Sequence, residues 1–285
     1  MPIYNAPLQD FRFLLHEYLD LEPCRGLESM AEATPDVIDA VLEEGARISE
    51  EVLQPLNVVG DVEGCRFDDG AVRLPRGFGE AWKVYTEGGW SGLTCDPEYG
   101  GQGLPGFVGL ALSEMINSAN ASFSAYPGLT HGAYEVIHHY GTPEQKQRFL
   151  PPMVEGRWSG TMNLTEPQCG TDLGLIRTRA EPQDDGSYRL HGTKIWITAG
   201  EHDLADNIVH LVLARTPAAP AGTRGISLFI VPKYRVDGDD GAGERNGVRC
   251  GSIEHKMGQN ASSTCEMIFE GAVGELIGEE NRGLA

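Results

Sequence analysis

The sequence has no surplus of positive charge: 22 Lys and Arg stand against 42 Asp and Glu, a formal net charge of −20. That balance argues against non-specific binding to nucleic acid or to an anionic membrane. It leaves room for an anionic ligand held by local amides and a few cations. No apolar run approaches the ~20 residues that span a bilayer. The N-terminus MPIYNAPLQDFRFLLHEYLDLE lacks the basic-then-apolar order of a secretory signal. Cysteine is sparse: Cys24, Cys65, Cys95, Cys169, Cys250 and Cys265 form no CxxC pair. This excludes a zinc knuckle and a disulfide framework, and points to reduced thiols in a soluble, cytoplasmic protein. There is no HExxH and no GxSxG, so zinc-protease and serine-hydrolase chemistry have no support. His138 and His139 are adjacent and share no helix face, and His131 lies two turns from His138. No metal site is assigned.

What is present divides into two textures. At 285 residues there is room for about two domains, and 40% hydrophobic content suffices for a core. The first half reads as helical. Thr34-Pro35 is an N-cap with Pro at N1, and Ile38, Val41, Leu42, Ile48 and Val52 recur at helical spacing as far as Pro55. A stronger stripe runs over 106–123 through Val108, Ala111, Leu112, Met115, Ile116 and Ala119. Thr142-Pro143-Glu144-Gln145 is a capping box opening a short helix through Met153. After Gly156 short strands take over. Asp184-Asp185-Gly186 turns between strands at 177–181 and 187–191. Ile208–Ala214, Ile226–Val231 and Thr264–Phe269 are further strands, and 237–247 reads as a polar surface loop. Helices followed by strands predict an α+β chain: an N-terminal helical domain, then a β-sandwich or barrel-like domain.

Gly101-Gln102-Gly103-Leu104-Pro105-Gly106 fits GxGxxG, but Asp96-Pro97-Glu98-Tyr99 before it is turn chemistry, not a strand. A dinucleotide fingerprint needs that strand and a βαβ unit. The segment therefore reads as a tight interhelical loop. Two other segments carry more. Met162 to Asp172 (MNLTEPQCGTD) passes from a strand into a turn at Pro167 and offers Gly170 and Thr171. Turn amides and a hydroxyl there can cradle phosphate oxygens. Lys194 to Thr198 (KIWIT) reads as a strand carrying an indole, with Thr198 facing the same side as Trp196. Taken singly, the first is also an ordinary polar turn and Trp196 also a core indole. Together in one β module they suggest a planar cofactor.

At these residues the chain resembles the acyl-CoA dehydrogenases. TEPQCGTD is similar to the family's TEP-x-x-G-[ST]-D turn, and Trp196-Ile197-Thr198 to its flavin-stacking segment. Tyr99–Gly103 resembles its Y-G-G-x-G loop, Gly141–Lys146 its G-[ST]-x-E-Q-K helix start, and His255–Gly258 and Gly278–Leu284 its later segments. Residues 4–19 resemble the extra N-terminal segment of a long-form bacterial branch, the one that includes 3-methylmercaptopropionyl-CoA dehydrogenase. The resemblance implies a short extension over 1–35, a helical domain over 36–158, a β domain over 159–275, and over 276–285 the start of a C-terminal helical bundle that this sequence lacks.

It further implies FAD, α,β-dehydrogenation of an acyl-CoA to the trans-2-enoyl-CoA as in fatty-acid β-oxidation, electron-transfer flavoprotein as acceptor, and a homodimer or homotetramer. The acyl group is a fatty acyl chain or, by likeness to the branch, a short thioether. By motif, Met162 and Leu164 would line the isoalloxazine through their backbone, and Thr165 would bond its edge. Gly170 and Thr171 would meet the pyrophosphate or the acyl-CoA. Trp196 would cover one flavin face, with Ile197 and Thr198 beside it, and the 107–126 region would wall the acyl pocket. Met162 stands where an aromatic is common. The family's catalytic base lies in the bundle, so no residue of this sequence, Glu166 and Glu254 included, is assigned that role. An acyl-CoA oxidase, or a non-catalytic subunit completing a flavin site with a partner chain, would share the same motifs.

Overall fold

A short helix, α1 (Leu8–Arg12), continued by a π-type turn over Phe13–Tyr18, presses Phe11 and Leu15 onto the helical core. The computed structural model describes residues 3–19, 21–27, 30–236 and 242–284. Thr34 caps α2 (Pro35–Arg47) by accepting the amide of Val37 at 3.3 Å. The helical path does not stop at Pro55. A π-type turn over Ile48–Leu53 leads into α3 (Gln54–Glu63), with Pro55 in its first turn. A small hairpin, β1 (Arg66–Asp68) with β2 (Ala71–Arg73), precedes α4 (Phe78–Glu87).

The stripe expected over 106–123 is interrupted. α5 (Gly106–Ala119) ends at Asn120, whose backbone leaves the helical region (φ −155°, ψ 89°). The buried Asn120 side chain accepts the amide of Phe123 at 3.0 Å and donates to the carbonyl of Leu53 at 3.1 Å. One side chain thus caps a new helix, α6 (Ala121–Tyr140), and ties it to the end of the π-type turn. The capping box is formed: Thr142 and Gln145 exchange side-chain-to-backbone bonds at the start of α7 (Pro143–Val154).

The β half contains β3 (Trp158–Asn163), β4 (Arg179–Pro182), β5 (Tyr188–Thr198), β6 (Asn207–Ala214), β7 (Ser227–Pro232), β8 (Tyr234–Val236), β9 (Ala242–Arg245), β10 (Val248–Ile253) and β11 (Thr264–Ile277). The main sheet runs β3-β6-β7-β11-β5-β4, with β10 also on β11. β11 is longer than the strand read over 264–269 and serves two neighbours. Its first part pairs with β5 and β10, and its last three residues pair with β7. β3 joins β6 in parallel, a pairing no local pattern announces.

β6 is buried throughout because it has two dry faces. Val209, Leu211 and Leu213 pack with Ala133, Ile137, Phe149 and Met153 of α6 and α7. Val212 and Ala214 pack with Leu190, Met267 and Phe269 from the other half of the sheet. Residues 237–241 of the supposed surface loop lie outside the described residues. Residues 242–245 are strand β9, paired with β8, and Arg245 reaches the buried Glu201 at 3.1 Å. Residues 278–284, read as the approach to a helix, are turns folded back on β7, with Gly283 N–H bonded to Ile226 O and Asn281 N–H to Ser227 Oγ. No helix among the described residues is long and apolar enough to cross a membrane.

The glycine-rich loop is an interhelical turn, as its flanks imply. Gly100 and Gly103 take φ of 92° and 66°, while Gly101 is required for a different reason. A Cβ on Gly101 would lie 2.0 Å from the carbonyl oxygen of Cys95, whereas one on Gly106 would meet nothing within 4 Å. Gly101→Ala should therefore cost roughly 1–3 kcal/mol, as overpacking does, and Gly106→Ala almost nothing, in urea unfolding. Equal effects would contradict this packing.

Candidate functional site

Three hydrogen bonds fasten the end of β3 to the end of β5. Thr161 Oγ1 donates to Thr198 O at 2.6 Å, Ile195 N–H to Thr165 O at 2.9 Å, and Lys194 Nζ to Leu164 O at 2.8 Å. Met162, Leu164 and Thr165, all half-buried, are thereby set beside Trp196 and Thr198. β5 bulges here, with its register to β11 shifting between Lys194 and Ile197. Trp196 takes φ 60° and Ala199 φ 54°. Left-handed backbone at a bulky residue is uncommon and concentrates at ligand sites. The bulge turns Trp196 outward, leaving it 51% exposed, while Ile197 beside it is buried with Cys265 and Met267. The other indoles, Trp82, Trp90 and Trp158, are all buried. The core-indole reading of Trp196 is thus excluded. The structure also separates Ile197 from its neighbours, since its side chain belongs to the core.

The turn between the two strand ends is held by Glu166. Its carboxylate accepts five hydrogen bonds: from Thr178 N (3.0 Å), Thr178 Oγ1 (2.6 Å), Lys194 Nζ (2.9 Å), Arg177 N (2.6 Å) and Gln168 Nε2 (2.6 Å). Glu166 and Cys169 also exchange backbone bonds at 2.9 and 3.0 Å, closing the Pro167–Gln168 tip. Both charges are buried, Lys194 at 0% and Glu166 at 3% exposure. Burial alone would raise the Glu166 carboxyl, but the Lys194 charge and the donors from residues 177 and 178 outweigh it and bring the group down to about 2. Such a carboxylate is neither free nor basic enough to take a substrate proton. Lys194 is pulled below its usual range by burial, against the opposing influence of Glu166. Sequence reasoning named both residues but did not pair them. The signal available was Lys194 in the same phase of β5 as the buried Leu190.

Gly170, Thr171 and Asp172 lie exposed just past this turn. Asp172 Oδ1 accepts the amide of Gly174 at 3.0 Å, shaping the next bend. On the helical side, a cavity of about 310 Å³ opens between α5, α6 and the 90–95 segment. It is walled by Trp82, Tyr85, Trp90 and Leu112 below and by Ser124 and Gly128 of α6. The wall thus extends on both sides of the 107–126 region. Of the surface histidines, His138 bonds Asp96 at 3.0 Å and His139 bonds the carbonyl of Glu135 at 2.9 Å. Their ring nitrogens and the Glu135 carboxylate lie within 4.8 Å of one another, a proximity the sequence reading did not anticipate.

Buried His202 and His210 are both held at about 3, by burial first and then by the nearby Lys233 charge. Their folded values lie below the ordinary 6.5, so their stabilising contribution is complete above pH 6.5 and is lost as pH falls toward 3. For Glu166 the loss runs from 4.5 down to about 2. Stability should therefore decline with acid first below about 6.5 and again below about 4.5. Lys194→Met should remove about 3–5 kcal/mol at neutral pH by leaving a buried carboxylate without its cation, and should shrink or abolish the second decline, because the folded Glu166 carboxyl then moves up toward its unfolded value. Urea unfolding across pH 3–8 checks both statements. A variant as stable as the parent would contradict the role given to the pair.

Known proteins share these two domains. Residues 63–157 match the N-terminal domain model of the acyl-CoA dehydrogenases, and residues 161–272 match the middle domain model. The chain is 47% identical over 281 residues to 3-methylmercaptopropionyl-CoA dehydrogenase of Ruegeria pomeroyi, covering 99% of this chain and 48% of that protein. A solved acyl-CoA dehydrogenase complexed with FAD from Bacillus anthracis superimposes with a TM-score of 0.70 at 28% identity, covering 88% of this chain and 39% of that one. A chain solved in work on the electron transferring flavoprotein of Acidaminococcus fermentans gives a TM-score of 0.71 at 30% identity, over 88% of this chain and 60% of that one. The chain spans about half the length of the curated relatives it matches. It belongs to the acyl-CoA dehydrogenase family, of which it carries the N-terminal and middle domains.

Proposed function

We propose that this chain is the flavin- and acyl-binding part of an FAD-dependent acyl-CoA dehydrogenase. The observation that carries the proposal is the convergence of the β3 and β5 ends on an exposed, left-handed Trp196. An exposed indole beside the hydroxyl-bearing Thr165 and Thr198 suits a planar, hydrogen-bonding ring system. Thr165 and the backbone of Met162 and Leu164 would border the isoalloxazine, and Trp196 would cover one face. Thr198 and the backbone of Ile197 would stand beside the ring, with Gly170 and Thr171 meeting phosphate or the CoA thioester arm. Bound there, FAD supplies the hydride acceptor for oxidation of the acyl α,β-bond. The cavity beside α6 would take the acyl chain, its apolar walls excluding water from the reacting carbons. A fatty acyl group or the thioether acyl group named for the Ruegeria relative both fall within this class.

Proton abstraction is assigned to no residue of this chain. Glu166 is consumed by its five partners. The base, the remaining nucleotide contacts, and the homodimeric or homotetrameric contacts belong to the longer protein. Electron-transfer flavoprotein is the proposed acceptor.

The complete reading frame, purified with FAD, should show a flavin band that bleaches anaerobically with its acyl-CoA. Electrons should pass to electron-transfer flavoprotein without stoichiometric peroxide. Peroxide formation would instead identify an oxidase. The 285-residue chain alone should retain FAD poorly and not turn over, and robust dehydrogenation by it would refute this division of labour. Trp196→Ala in the complete protein should weaken FAD retention about tenfold, in line with loss of one aromatic stack.

A further inference from the structure

Arg215 ends just past β6 with a side chain bonded on every edge. Nε donates to Ile176 O at 3.0 Å, Nη1 to Pro220 O at 3.0 Å, and Nη2 to Gly174 O and Gly222 O at 2.7 Å each. Its backbone is equally committed, donating to Thr178 O at 2.9 Å and accepting from Ala180 N at 2.8 Å. The guanidinium therefore stitches the 173–176 bend, which continues from Gly170-Thr171-Asp172, to the 220–225 loop. The two segments lie in van der Waals contact, and the 220–225 loop is itself tightly folded. A Cβ on Gly174 would lie 3.5 Å from Gly222 Cα, and one on Gly225 would lie 1.8 Å from Pro220 O.

The charge on this side chain is less ordinary than its bonds. All four acceptors are neutral carbonyls, and among the described residues no carboxylate pairs with it. Asp172, just before the bend, accepts the amide of Gly174, and Glu280 accepts the hydroxyl of Thr216 at 2.5 Å. Surface arginines of this chain mostly meet carboxylates, as Arg12, Arg47, Arg76, Arg148 and Arg157 do. In a chain of net charge −20 an arginine bonded only to peptide carbonyls keeps its full positive charge beside the turn.

We propose that Arg215 is a positioning residue for a phosphate-bearing ligand. It locks the Gly170–Gly174 turn against the 220–225 loop and supplies the unneutralised charge that favours a pyrophosphate there. The inference rests on the flavin and acyl-CoA reading above. The shared chemistry is a phosphate ester, carried either by FAD or by the CoA moiety.

The test uses the complete protein with Arg215→Gln, which removes the charge, and Arg215→Lys, which keeps the charge and loses the fork. Binding of FAD is compared with riboflavin, and binding of an acyl-CoA with the matching S-acyl-pantetheine. Arg215→Gln should weaken the phosphate-bearing member of at least one pair about tenfold and leave its phosphate-free counterpart within about twofold. Arg215→Lys should recover part of the loss. The pair that responds identifies the source of the phosphate. Equal loss for both members of each pair would reduce Arg215 to a structural tie and overturn the proposal, as would unchanged affinity throughout. If neither variant folds, the parent decides. Its FAD or acyl-CoA affinity must fall with rising salt while riboflavin and acyl-pantetheine affinities hold, and salt-insensitive binding of both phosphate ligands overturns the proposal. Failure of the parent to bind any flavin or thioester would sink the functional reading itself, a result distinct from a parent that binds and ignores Arg215.

Discussion

The buried Glu166–Lys194 pair is the constraint on which the candidate site depends. Two opposite charges removed from water are a poor source of net stability. They are effective at fixing geometry, because neither can leave its partner without exposing an unpaired buried charge. Here Lys194 comes from β5, Glu166 from the turn after β3, and Thr178 from just before β4. Three segments far apart in sequence are thereby held around one carboxylate, and Trp196 is two residues from its ammonium. The local cost shows in the left-handed backbone of Trp196 and Ala199.

The rest of the fold supplies a rigid frame for that arrangement. β6 and β7 are dry on both faces, and the β half cannot slide on α6 and α7 without opening the core between them. Tyr126 of α6 adds a polar tie across the same boundary, donating to Ala261 O at 2.9 Å and accepting the amide of Ser263 at 3.0 Å. Thr130 of α6 accepts the amide of Gly160 in β3 at 3.1 Å. The cavity beside α6 and the indole are thus set by elements that share hydrogen bonds.

Much of this was legible in the residues. The capping box, the two-faced strands and the helix-to-strand transition near Gly156 follow from periodicity and cap chemistry, and the family motifs marked a turn and a tryptophan that the fold brings together. Other features were not legible. The Asn120 break between α5 and α6 depends on Leu53, 67 residues away. The outward turn of Trp196 depends on a bulge opposite β11, and simple alternation cannot predict a bulge. Ile197 sits within the motif, yet its side chain serves the core. Glu166 read as part of a signature without showing that its role is to bind Lys194. Arg215 carries no motif at all, since its partners are backbone carbonyls that no residue type advertises.

On the proposed function, Trp196 is exposed in order to meet the flavin ring. Of the four tryptophans only Trp196 is open to solvent. An aqueous quencher such as iodide should reach that one indole in the complete protein without cofactor. Saturating FAD should abolish this accessible fraction, and Trp196→Phe should remove it beforehand. A protein that binds FAD while its iodide-accessible fraction stays unchanged would contradict the account.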